Sequence, residues 1–511
     1  MAHSEHAQPS SRTSLAHAGW SCSRIGSYKQ LIPRRARPLS WLNPIPLWQA
    51  RNDVLVRRLD DPTNDMRREW MTALNIRDPL NDLTIKHPTE HNRVSFLVLG
   101  DPGEGDASQY AVVPPLERIA PDTDFMVICS DVIYPAGGAG EYGEKFYRPY
   151  RNYKRPIYAL PGNHDWYDNL SGFMHHFCGC DHPVARPTGR GWRGLLRRAL
   201  WRRPPPLDDT KVSFAQRERE ERQNIGQPGP YFAIDAGPVL LVAIDTGIRG
   251  DIDYGQGEWL RAVSRSVDKP KILLTGKPIY VNGEHRPCDI EGGGTVDDIV
   301  VSPSNRYIAA IGGDIHNYQR YPITLNDGRV IQYAVSGGGG AFMHATHDIP
   351  NIDCCGLGVS ESDFRCYPLR GDSLAILSKR YTKRLGWLFG KLDIPPDEAS
   401  SLIAHRLGLS STRSKIPYEC ISSEYKRRFE KIFDKRTRFH GLWHYNASQF
   451  FDWNDPPMFK NFLRIDANQQ TITITCYAAT GCREDELTPL IEDQLVANDT
   501  GTTWEWSDVH A

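Results

Sequence analysis

The chain has 511 residues, and its 61 Lys and Arg against 62 Asp and Glu give a net charge of −1. Its 40% hydrophobic and 24% charged residues are typical of a globular protein and exclude a fibrous or wholly disordered chain. The neutral total also excludes a uniformly basic protein that coats nucleic acid through bulk charge, although a local basic patch remains compatible with it.

Residues 1–92 are predicted to form an N-terminal extension that is partly disordered. Residues 1 to about 50 are rich in Ser, Arg, His and Pro without periodicity, whereas residues 67–74 have a helical pattern. The N-terminus lacks the layout of a signal peptide, and the longest aliphatic run, Val239–Ile244, is far shorter than the roughly 20 residues of a membrane span. The 11 cysteines form no Cys-x-x-Cys pair, so we expect reduced thiols and a cytoplasmic location.

Short apolar runs recur from residue 94 onward, and each ends in glycine and polar residues. These runs are 94–99, 125–129, 157–160, 239–244, 272–274, 307–311 and 330–335. Because they are continuously apolar, they predict strands buried on both faces, and the connections are long enough for crossover helices. Ligands bind at the carboxyl ends of such strands, so we expect the polar residues there to line a site.

The remaining segments divide the chain further. We predict a core at 93–350 with an Arg- and Pro-rich insertion at 183–229, followed by a mostly helical insertion at 351–458. Residues 459–482 alternate apolar and polar around Asn468 and predict a hairpin that closes the core. Residues 483–511 are expected to form a C-terminal tail.

The side chains at the predicted strand ends indicate a metal site. They are Asp101, Asp131, Tyr134, Asn163, His164, Asp165, Asp245, Lys277, Asp314 and His316. Crowded carboxylates repel one another and need a cation between them. This mixture of oxygen and nitrogen donors suits Fe, Mn, Zn or Mg.

Four blocks at these strand ends resemble those of the calcineurin-like metallophosphoesterases, above all the purple acid phosphatase branch. The blocks are Gly100-Asp101-Pro102-Gly103, Asp131-Val132-Ile133-Tyr134, Gly162-Asn163-His164-Asp165 and Gly313-Asp314-Ile315-His316. The resemblance covers about residues 94–345. It implies an α/β fold, a four-layer α/β/β/α sandwich, to which this chain adds the helical insertion and the irregular N-terminal extension.

The resemblance also implies roles for individual residues. Asp101, Asp131, Tyr134 and His316 match the ligands of the first metal, which is ferric iron in that family. Asp131 would bridge to a second metal, of which Asn163 matches a ligand. His164 matches the residue that contacts the phosphate and protonates the leaving group, and we group Asp165 of the same block with the catalytic residues. The implied reaction is hydrolysis of a phosphate ester by a metal-bound hydroxide.

Two positions depart from the family at the second metal. Lys277 stands where the family has a lone histidine, and Asp314 stands where it has the first histidine of Gly-His-x-His. A protonated lysine cannot ligate a metal. Either Asp131, Asn163 and Asp314 form an all-oxygen site for Mg²⁺ or Mn²⁺, or the Lys277 ammonium replaces the second cation. The chain would bind two metal ions under the first interpretation and one under the second. We favour the second interpretation.

The residues around these blocks are expected to have supporting roles. We predict that Tyr318 and Arg320 pack beside the site and that Asp245 is structural. We expect His344 and His347 to be loop histidines, although either could line the pocket.

Residues 186–203 contain seven Arg and no acidic residue. The apolar residues within them lie on one face of a helix, at Trp192, Leu195, Leu196, Ala199 and Leu200. Residues 379–392 repeat this design with Tyr381, Leu385, Leu388, Phe389 and Leu392. We favour packing of each stripe on the core; the alternative is peripheral binding to a membrane surface through 186–203.

Together these observations predict a metallophosphoesterase that acts on a phosphorylated small molecule or lipid, without a nucleic-acid partner. One alternative is a catalytically weakened relative that binds phosphorylated ligands, because both second-site histidines are replaced. Another is a phosphodiesterase acting on nucleotides or phospholipids, which the basic insertion would favour.

Overall fold

The computed structural model describes residues 19–20, 22–34, 39–41, 43–182, 191–204, 208–223, 226–409, 413–433, 455–501 and 503–509. Parts of two predicted segments lie outside the described residues: 183–190 and 205–207 of the basic insertion, and 434–454 of the helical insertion. Within the described ranges, no helix is both long enough and apolar enough to cross a lipid bilayer.

The strands of the described chain are β1 (Thr84–Lys86), β2 (Val94–Gly100), β3 (Phe125–Cys129), β4 (Ile157–Leu160), β5 (Phe232–Ala236), β6 (Val239–Ile244), β7 (Lys271–Thr275), β8 (Tyr280–Val281), β9 (Glu284–His285), β10 (Tyr307–Gly312), β11 (Tyr318–Thr324), β12 (Val330–Ser336), β13 (Arg365–Tyr367), β14 (Lys460–Ala467), β15 (Thr471–Ala479), β16 (Ile491–Asp499) and β17 (Trp504–Asp508). A first sheet has the order β17-β16-β15-β14-β2-β3-β4, and a second has the order β1-β5-β6-β7-β10-β12-β11-β13. Strands β2, β3 and β4 are parallel, as are β6, β7, β10 and β12.

The helices are α1 (Tyr28–Leu31), α2 (Pro44–Gln49), α3 (Asn52–Leu59), α4 (Thr63–Ala73), α5 (Pro79–Asp82), α6 (Ala107–Tyr110), α7 (Val113–Ile119), α8 (Asn163–Trp166), α9 (Ser171–Cys178), α10 (Gly191–Leu200), α11 (Asp209–Arg217), α12 (Tyr254–Arg265), α13 (Val296–Val301), α14 (Arg370–Phe389), α15 (Pro396–Leu407), α16 (Ser423–Phe433) and α17 (Arg483–Leu487).

The two sheets pack face to face between layers of helices. Successive side chains of a strand point to opposite faces, so each buried strand contributes to two cores. In β2, Phe96 and Val98 join the core between the sheets, whereas Leu97 and Leu99 pack with α7 and α9. In the second sheet, Leu273 packs with α12 and α13 on its outer face. This arrangement is the predicted α/β/β/α sandwich.

All seven predicted apolar strands are present, and the predicted hairpin is the antiparallel pair β14–β15. The hairpin pairs β14 with β2 and so joins the first sheet, as expected. The segment expected as a C-terminal tail instead contains α17, β16 and β17, which extend this sheet. Its strands mix polar and apolar residues without strict alternation, which is why the sequence pattern missed them.

The N-terminal segment contacts the rest of the fold at several points. The helix expected at 67–74 is α4, and its Arg67 is fully buried in ion pairs with Asp245 and Asp253. The structure also pairs Cys22 with Cys482 in a disulfide, whereas the sequence predicted reduced thiols throughout. The spacing of 460 residues gives no local signal, so the pairing depends on the tertiary fold.

Candidate functional site

Five strand ends bring the predicted site residues together at one edge of the sandwich. Asp101 follows β2, Asp131 follows β3, and Asn163 opens α8 after β4. Lys277 follows β7, and His316 follows β10 four residues after the strand ends. Parallel strands end at a common edge, so residues far apart in sequence meet there.

The three aspartates of this edge share an unusual backbone conformation. Asp101, Asp131 and Asp314 have φ angles of 53°, 39° and 66°. Non-glycine residues rarely adopt the left-handed region, and such strain concentrates at functional sites. At each of these three positions, the conformation turns the backbone sharply as it leaves the strand.

The Tyr134 hydroxyl contacts the other residues of the first cluster. Its oxygen lies 2.9 Å from Asp131 Oδ2, 2.9 Å from His316 Nε2 and 3.5 Å from Asp101 Oδ1. One ligand atom each from Asp101, Asp131 and His316 lies within 4.8 Å of the others. All four side chains are buried. The four residues matched to the first metal therefore form one compact cluster.

The orientation of His316 suits metal ligation. Its Nδ1 lies 2.7 Å from the Phe342 carbonyl oxygen and must carry the proton to donate there. The other ring nitrogen, Nε2, then presents its lone pair to the cluster. A backbone carbonyl that holds the ring in this tautomer is the usual support of a metal-binding histidine.

Burial and like charge oppose ionisation of the clustered carboxylates. Burial, Asp131 and Asp314 raise the pKa of Asp101 well above its usual value. Burial also raises the pKa of Asp131, although His164 opposes this shift. Among the described residues, Asp101 Oδ2 is a buried oxygen without a hydrogen-bond partner. A cation among these oxygens would stabilise their charged forms, and the oxygen and nitrogen donors fit a metal ion.

A second cluster lies beside the first and contains both departures from the family. Lys277 Nζ donates to Asp314 Oδ1 at 2.6 Å, and the Lys277 backbone N–H donates to Thr246 Oγ1 at 3.0 Å. Burial lowers the pKa of Lys277, but Asp314 and Asp131 outweigh it and leave the pKa above its usual value. The same pairing with Lys277 offsets the effect of burial on Asp314, so its pKa is lowered.

Asn163 lies between Asp314 of this second cluster and Asp131 of the first cluster. With its amide nitrogen facing them, it donates to Asp314 Oδ1 at 3.1 Å and to Asp131 Oδ2 at 3.3 Å, and it accepts from Tyr167 Oη at 2.7 Å. With its oxygen facing them, three oxygens converge and require a cation. The amide orientation therefore distinguishes a site without a second metal from a site with one.

His164 is held at the rim by its backbone and its ring. Its backbone N–H donates to Asp131 Oδ1 at 2.8 Å, and its Nδ1 lies 2.7 Å from the Pro135 carbonyl oxygen. The ring contacts those of Tyr134 and Trp41 at centroid distances of 4.4 Å and 5.5 Å. Because Nδ1 donates to the carbonyl, Nε2 is the ring atom left to exchange a proton.

Asp165, which the sequence analysis placed among the catalytic residues, supports the loops from beneath. Its carboxylate accepts from the backbone N–H groups of Val132, Ile133 and Gly162 at 2.9, 3.1 and 3.0 Å. Both oxygens are thus engaged by the backbone, and the residue is fully buried. These contacts support a positioning role for Asp165 rather than the expected catalytic one.

The structure adds residues that sequence reasoning missed. Trp41 of the N-terminal extension contacts His164, and the buried Lys460 donates from Nζ to the Ala341 carbonyl oxygen beside the cluster. Glu104 accepts from the Phe342 N–H at 3.2 Å. Glu104 lies directly after the first block and was detectable there. Trp41 and Lys460 reach the site only through folding.

The expected supporting residues have different positions. Tyr318 and Arg320 of β11 both donate to Asp493 of β16, at 2.8 and 2.6 Å, so they join the second sheet to the first. His344 lies beside the cluster, where its Nδ1 accepts from the His316 backbone N–H at 2.9 Å. His347 pairs instead with Ser373.

One glycine of the Gly-rich segment after β12 is required by close packing. A Cβ at Gly337 would lie 2.6 Å from Asp101 Oδ2 and 2.4 Å from the Ile315 carbonyl oxygen. The position therefore excludes larger residues and lets the segment pass beside the carboxylates.

Comparison with known proteins agrees with this geometry. Residues 94–318 match the family model of the calcineurin-like phosphoesterases. No curated protein matches the chain in sequence at a significant level.

Solved structures similar to the chain include a purple acid phosphatase, PPD1, from yellow lupin (Lupinus luteus) seeds. It is 11% identical, with 81% of this chain and 55% of that chain covered and a TM-score of 0.36. PhoD is 10% identical, with 83% and 72% covered and a TM-score of 0.37. GAP50 of Plasmodium is 12% identical, with 49% and 74% covered and a TM-score of 0.31. The chain thus spans about half the length of the lupin phosphatase.

Proposed function

We propose that this protein hydrolyses phosphate esters at a single metal ion, with the Lys277 ammonium in place of a second one. The observation that carries the proposal is the contact of Tyr134 Oη with Asp131 and His316, next to the 2.6 Å pair of Lys277 and Asp314. Asp101, Asp131, Tyr134 and His316 would hold the metal. The phenol ligand favours iron among the candidate metals Fe, Mn, Zn and Mg.

A bound metal would supply a Lewis acid and an activated water near neutral pH. The residues around it supply the rest of the chemistry. Asp131 and Asn163 line the gap between the two clusters, where a phosphoryl group would contact both. The Lys277 ammonium contributes a fixed positive charge to stabilise the phosphoryl oxygens as charge develops on them.

His164 is proposed as the general acid. Its Nδ1–H is engaged by Pro135, so the proton given to the leaving oxygen would come from Nε2. Tyr134 and Trp41 restrict the ring from two sides, which supports a fixed orientation during transfer. Asp165 contributes indirectly, because it fixes the loop that carries Asp131 and the one that carries His164.

The proposal is tested by the hydrolysis of a simple aryl phosphate by the metal-loaded full chain, for each candidate metal in turn. We expect Asp131→Asn to abolish the activity and Lys277→Met to lower kcat/KM by about 100-fold. Equal activity in the wild type and in Asp131→Asn would identify a contaminating phosphatase. Comparing monoesters with nucleotide and phospholipid diesters separates a phosphatase from a phosphodiesterase.

A second candidate function is the binding of phosphorylated ligands without turnover. It is favoured by the replacement of both second-site histidines with Lys277 and Asp314, which lie in contact. In that case inorganic phosphate would bind the metal-loaded protein, and Lys277→Met would weaken this binding, while no metal would support hydrolysis.

A cytoplasmic location stays part of the proposal. The nine free cysteines support it, whereas the Cys22–Cys482 disulfide is more typical of an oxidising compartment. Cell fractionation, together with thiol labelling of the two cysteines in intact cells, decides between these compartments.

A further inference from the structure

Helix α10, the helical part of the basic insertion, is oriented with its apolar stripe away from the protein. Trp192 and Leu195 are 68% and 67% exposed, whereas Gly194 and Arg197 are buried. With about 3.6 residues per turn, these two pairs fall on opposite sides of the helix. The packing of the stripe on the core that the sequence analysis favoured is therefore wrong for α10.

Specific contacts hold α10 in this orientation. The Arg197 guanidinium donates to the carbonyl oxygens of Leu59 and Asp60 at the end of α3, at 3.5 and 3.3 Å. Gly194, one turn earlier, has no side chain to separate the helix from the protein. Trp201 follows on the same side and is buried, with its indole N–H donating to Asn169 Oδ1 at 2.8 Å. The polar face is thus the anchored face.

Helix α2 adds further exposed apolar side chains beside α10. The exposed apolar residues of the two helices are Ile45, Leu47, Trp48, Trp192, Leu195, Leu196 and Leu200, and we refer to them as the α2/α10 surface. Arg51 joins the helices, because its Nε donates to the Leu200 carbonyl oxygen at 2.7 Å and its guanidinium lies 4.5 Å from the Trp48 ring centroid. Two tryptophans and five aliphatic side chains are thus exposed on two helices that Arg51 joins, which is unusual for a surface without a partner.

The charge around this surface is strongly positive. Residues 43–60 and 191–204 contain eight arginines and two aspartates, and six arginines are left when Arg197 and Arg202, which contact the protein, are set aside. Arg193 and Arg198 lie on α10 on either side of its exposed stripe, and both are exposed. Trp and Leu flanked by Arg are the residues that bind the interface of a membrane, where apolar side chains enter the lipid and cations contact anionic headgroups.

We propose that the α2/α10 surface binds an anionic lipid bilayer, with the axis of α10 lying along the membrane plane. A second copy of the chain would have to place its own arginines against the same arginines, and the like charges would repel. In an anionic bilayer, the lipid contacts the apolar stripe and the negatively charged headgroups contact the arginines. This inference does not depend on the proposed hydrolysis.

The surface is connected to the candidate site by a short chain of contacts. Arg202, just after α10, donates to the Ala136 carbonyl oxygen at 2.7 Å, and Ala136 directly follows Pro135, the partner of His164. The Arg202 backbone N–H donates to Asn52 Oδ1 at 2.9 Å. Bound in this way, the protein would hold its site close to the headgroup layer.

The other predicted apolar stripe, at residues 379–392, allows a comparison with α10. On α14, Tyr381 is buried in the core and Leu385 packs against the core. Leu392, which follows the helix, is buried in the core as well. The prediction that this stripe packs on the core is therefore correct. The side chains of Leu388 and Phe389 lie outside the described residues. Trp387 is 83% exposed on the same helix, which makes it a tryptophan of matched exposure at another position.

The test is co-sedimentation of the full chain with vesicles of phosphatidylcholine, alone or mixed with phosphatidylserine. We expect binding to the mixed vesicles only, and weaker binding at high salt. Trp192→Ala combined with Leu195→Glu should lower the partition coefficient by about tenfold or more. Trp387→Ala should bind as the wild type does. Aryl phosphate hydrolysis should be unchanged in the α10 variant, and vesicle binding unchanged in Asp131→Asn.

Three results would overturn the proposal. The first is no sedimentation of the wild type with either vesicle, and the second is equal binding by the wild type and the α10 variant. The third is a dimer in light scattering that Leu195→Glu dissociates, without vesicle binding, which would assign the surface to a second copy. Because both substituted side chains are exposed, a thermal melt equal to that of the wild type verifies folding. The charge variant Arg193→Glu with Arg198→Glu provides an independent test.

Discussion

The ammonium of Lys277 lies 2.6 Å from the carboxylate of Asp314, at the two positions where the resembling family has histidines. The two replacements compensate each other, since one brings a positive charge and the other a negative charge. The pair also differs from two imidazoles in having no nitrogen lone pair for a metal, because the lysine pKa is raised and the amine stays protonated. This relationship leads to the first prediction.

Metal analysis of the wild type should give one tightly bound ion per chain. Lys277→His combined with Asp314→His should add a second ion, because two imidazoles would then join Asp131 and Asn163. Adding Asn163→Ala to this double variant should weaken or remove the second ion again. Two tightly bound ions in the wild type would contradict the single-metal site.

Tyr134→Phe should lower the metal affinity of the first cluster by tenfold or more, because one of its four donors is lost. In iron-loaded protein the change should also remove a visible tyrosinate band, so titration of the metal followed by the absorption spectrum measures both effects. Tyr142→Phe is the matched control, since Tyr142 is also buried and its hydroxyl has no hydrogen-bond partner among the described residues. A band that persists in Tyr134→Phe would assign the ligand to another residue.

Asp165→Asn should destabilise the protein by about 2 to 3 kcal/mol and lower the activity, although Asp165 is not expected to touch the substrate. An amide nitrogen in place of either oxygen would face a backbone N–H and could not accept from it. Urea denaturation measures the free energy of unfolding. In the control Asp168→Asn, the new NH2 can occupy the place of Oδ1, which has no hydrogen-bond partner within the described part of the chain, while Oδ2 still accepts from Gly172. Equal losses of unfolding free energy in Asp165→Asn and Asp168→Asn would refute the proposed positioning role of Asp165.

His176 should make the protein less stable in acid. Burial lowers its pKa to about 3, and it is held neutral between Tyr147 Oη and the Ala139 carbonyl oxygen. Below the unfolded pKa of about 6.5, the unfolded chain binds a proton that the folded chain rejects, so stability falls by up to about 1.4 kcal/mol per pH unit toward pH 3. The effect is absent above pH 6.5.

Denaturation of His176→Gln at pH 7, 6, 5 and 4 tests this prediction. The slope of stability against pH should be shallower in the variant, whatever its stability at pH 7. Identical slopes in the two proteins would show that His176 does not cause the acid sensitivity.

The strands and the first metal cluster were predictable because their signals are local. A run such as Val239–Ile244 is continuously apolar, and Asp101, Asp131 and His316 each lie within five residues of the end of such a run. Strand β16, by contrast, was not predicted, because its polar residues interrupt the apolar pattern. Strands near the edge of a sheet tolerate such mixed polar and apolar patterns. Trp41 and Lys460 were beyond prediction, because they come from segments far along the chain from the residues they approach.

For α10, the sequence by itself determined that the helix has one apolar face and one basic face. Periodicity describes a helix in isolation and says nothing about which face the protein contacts. Only the tertiary structure decided this, because Arg197 donates to the carbonyl oxygens at the end of α3 and Gly194 is buried on the same side. In the same way, the sequence determined the residue types at positions 277 and 314, whereas their contact depends on two strands ending at one edge.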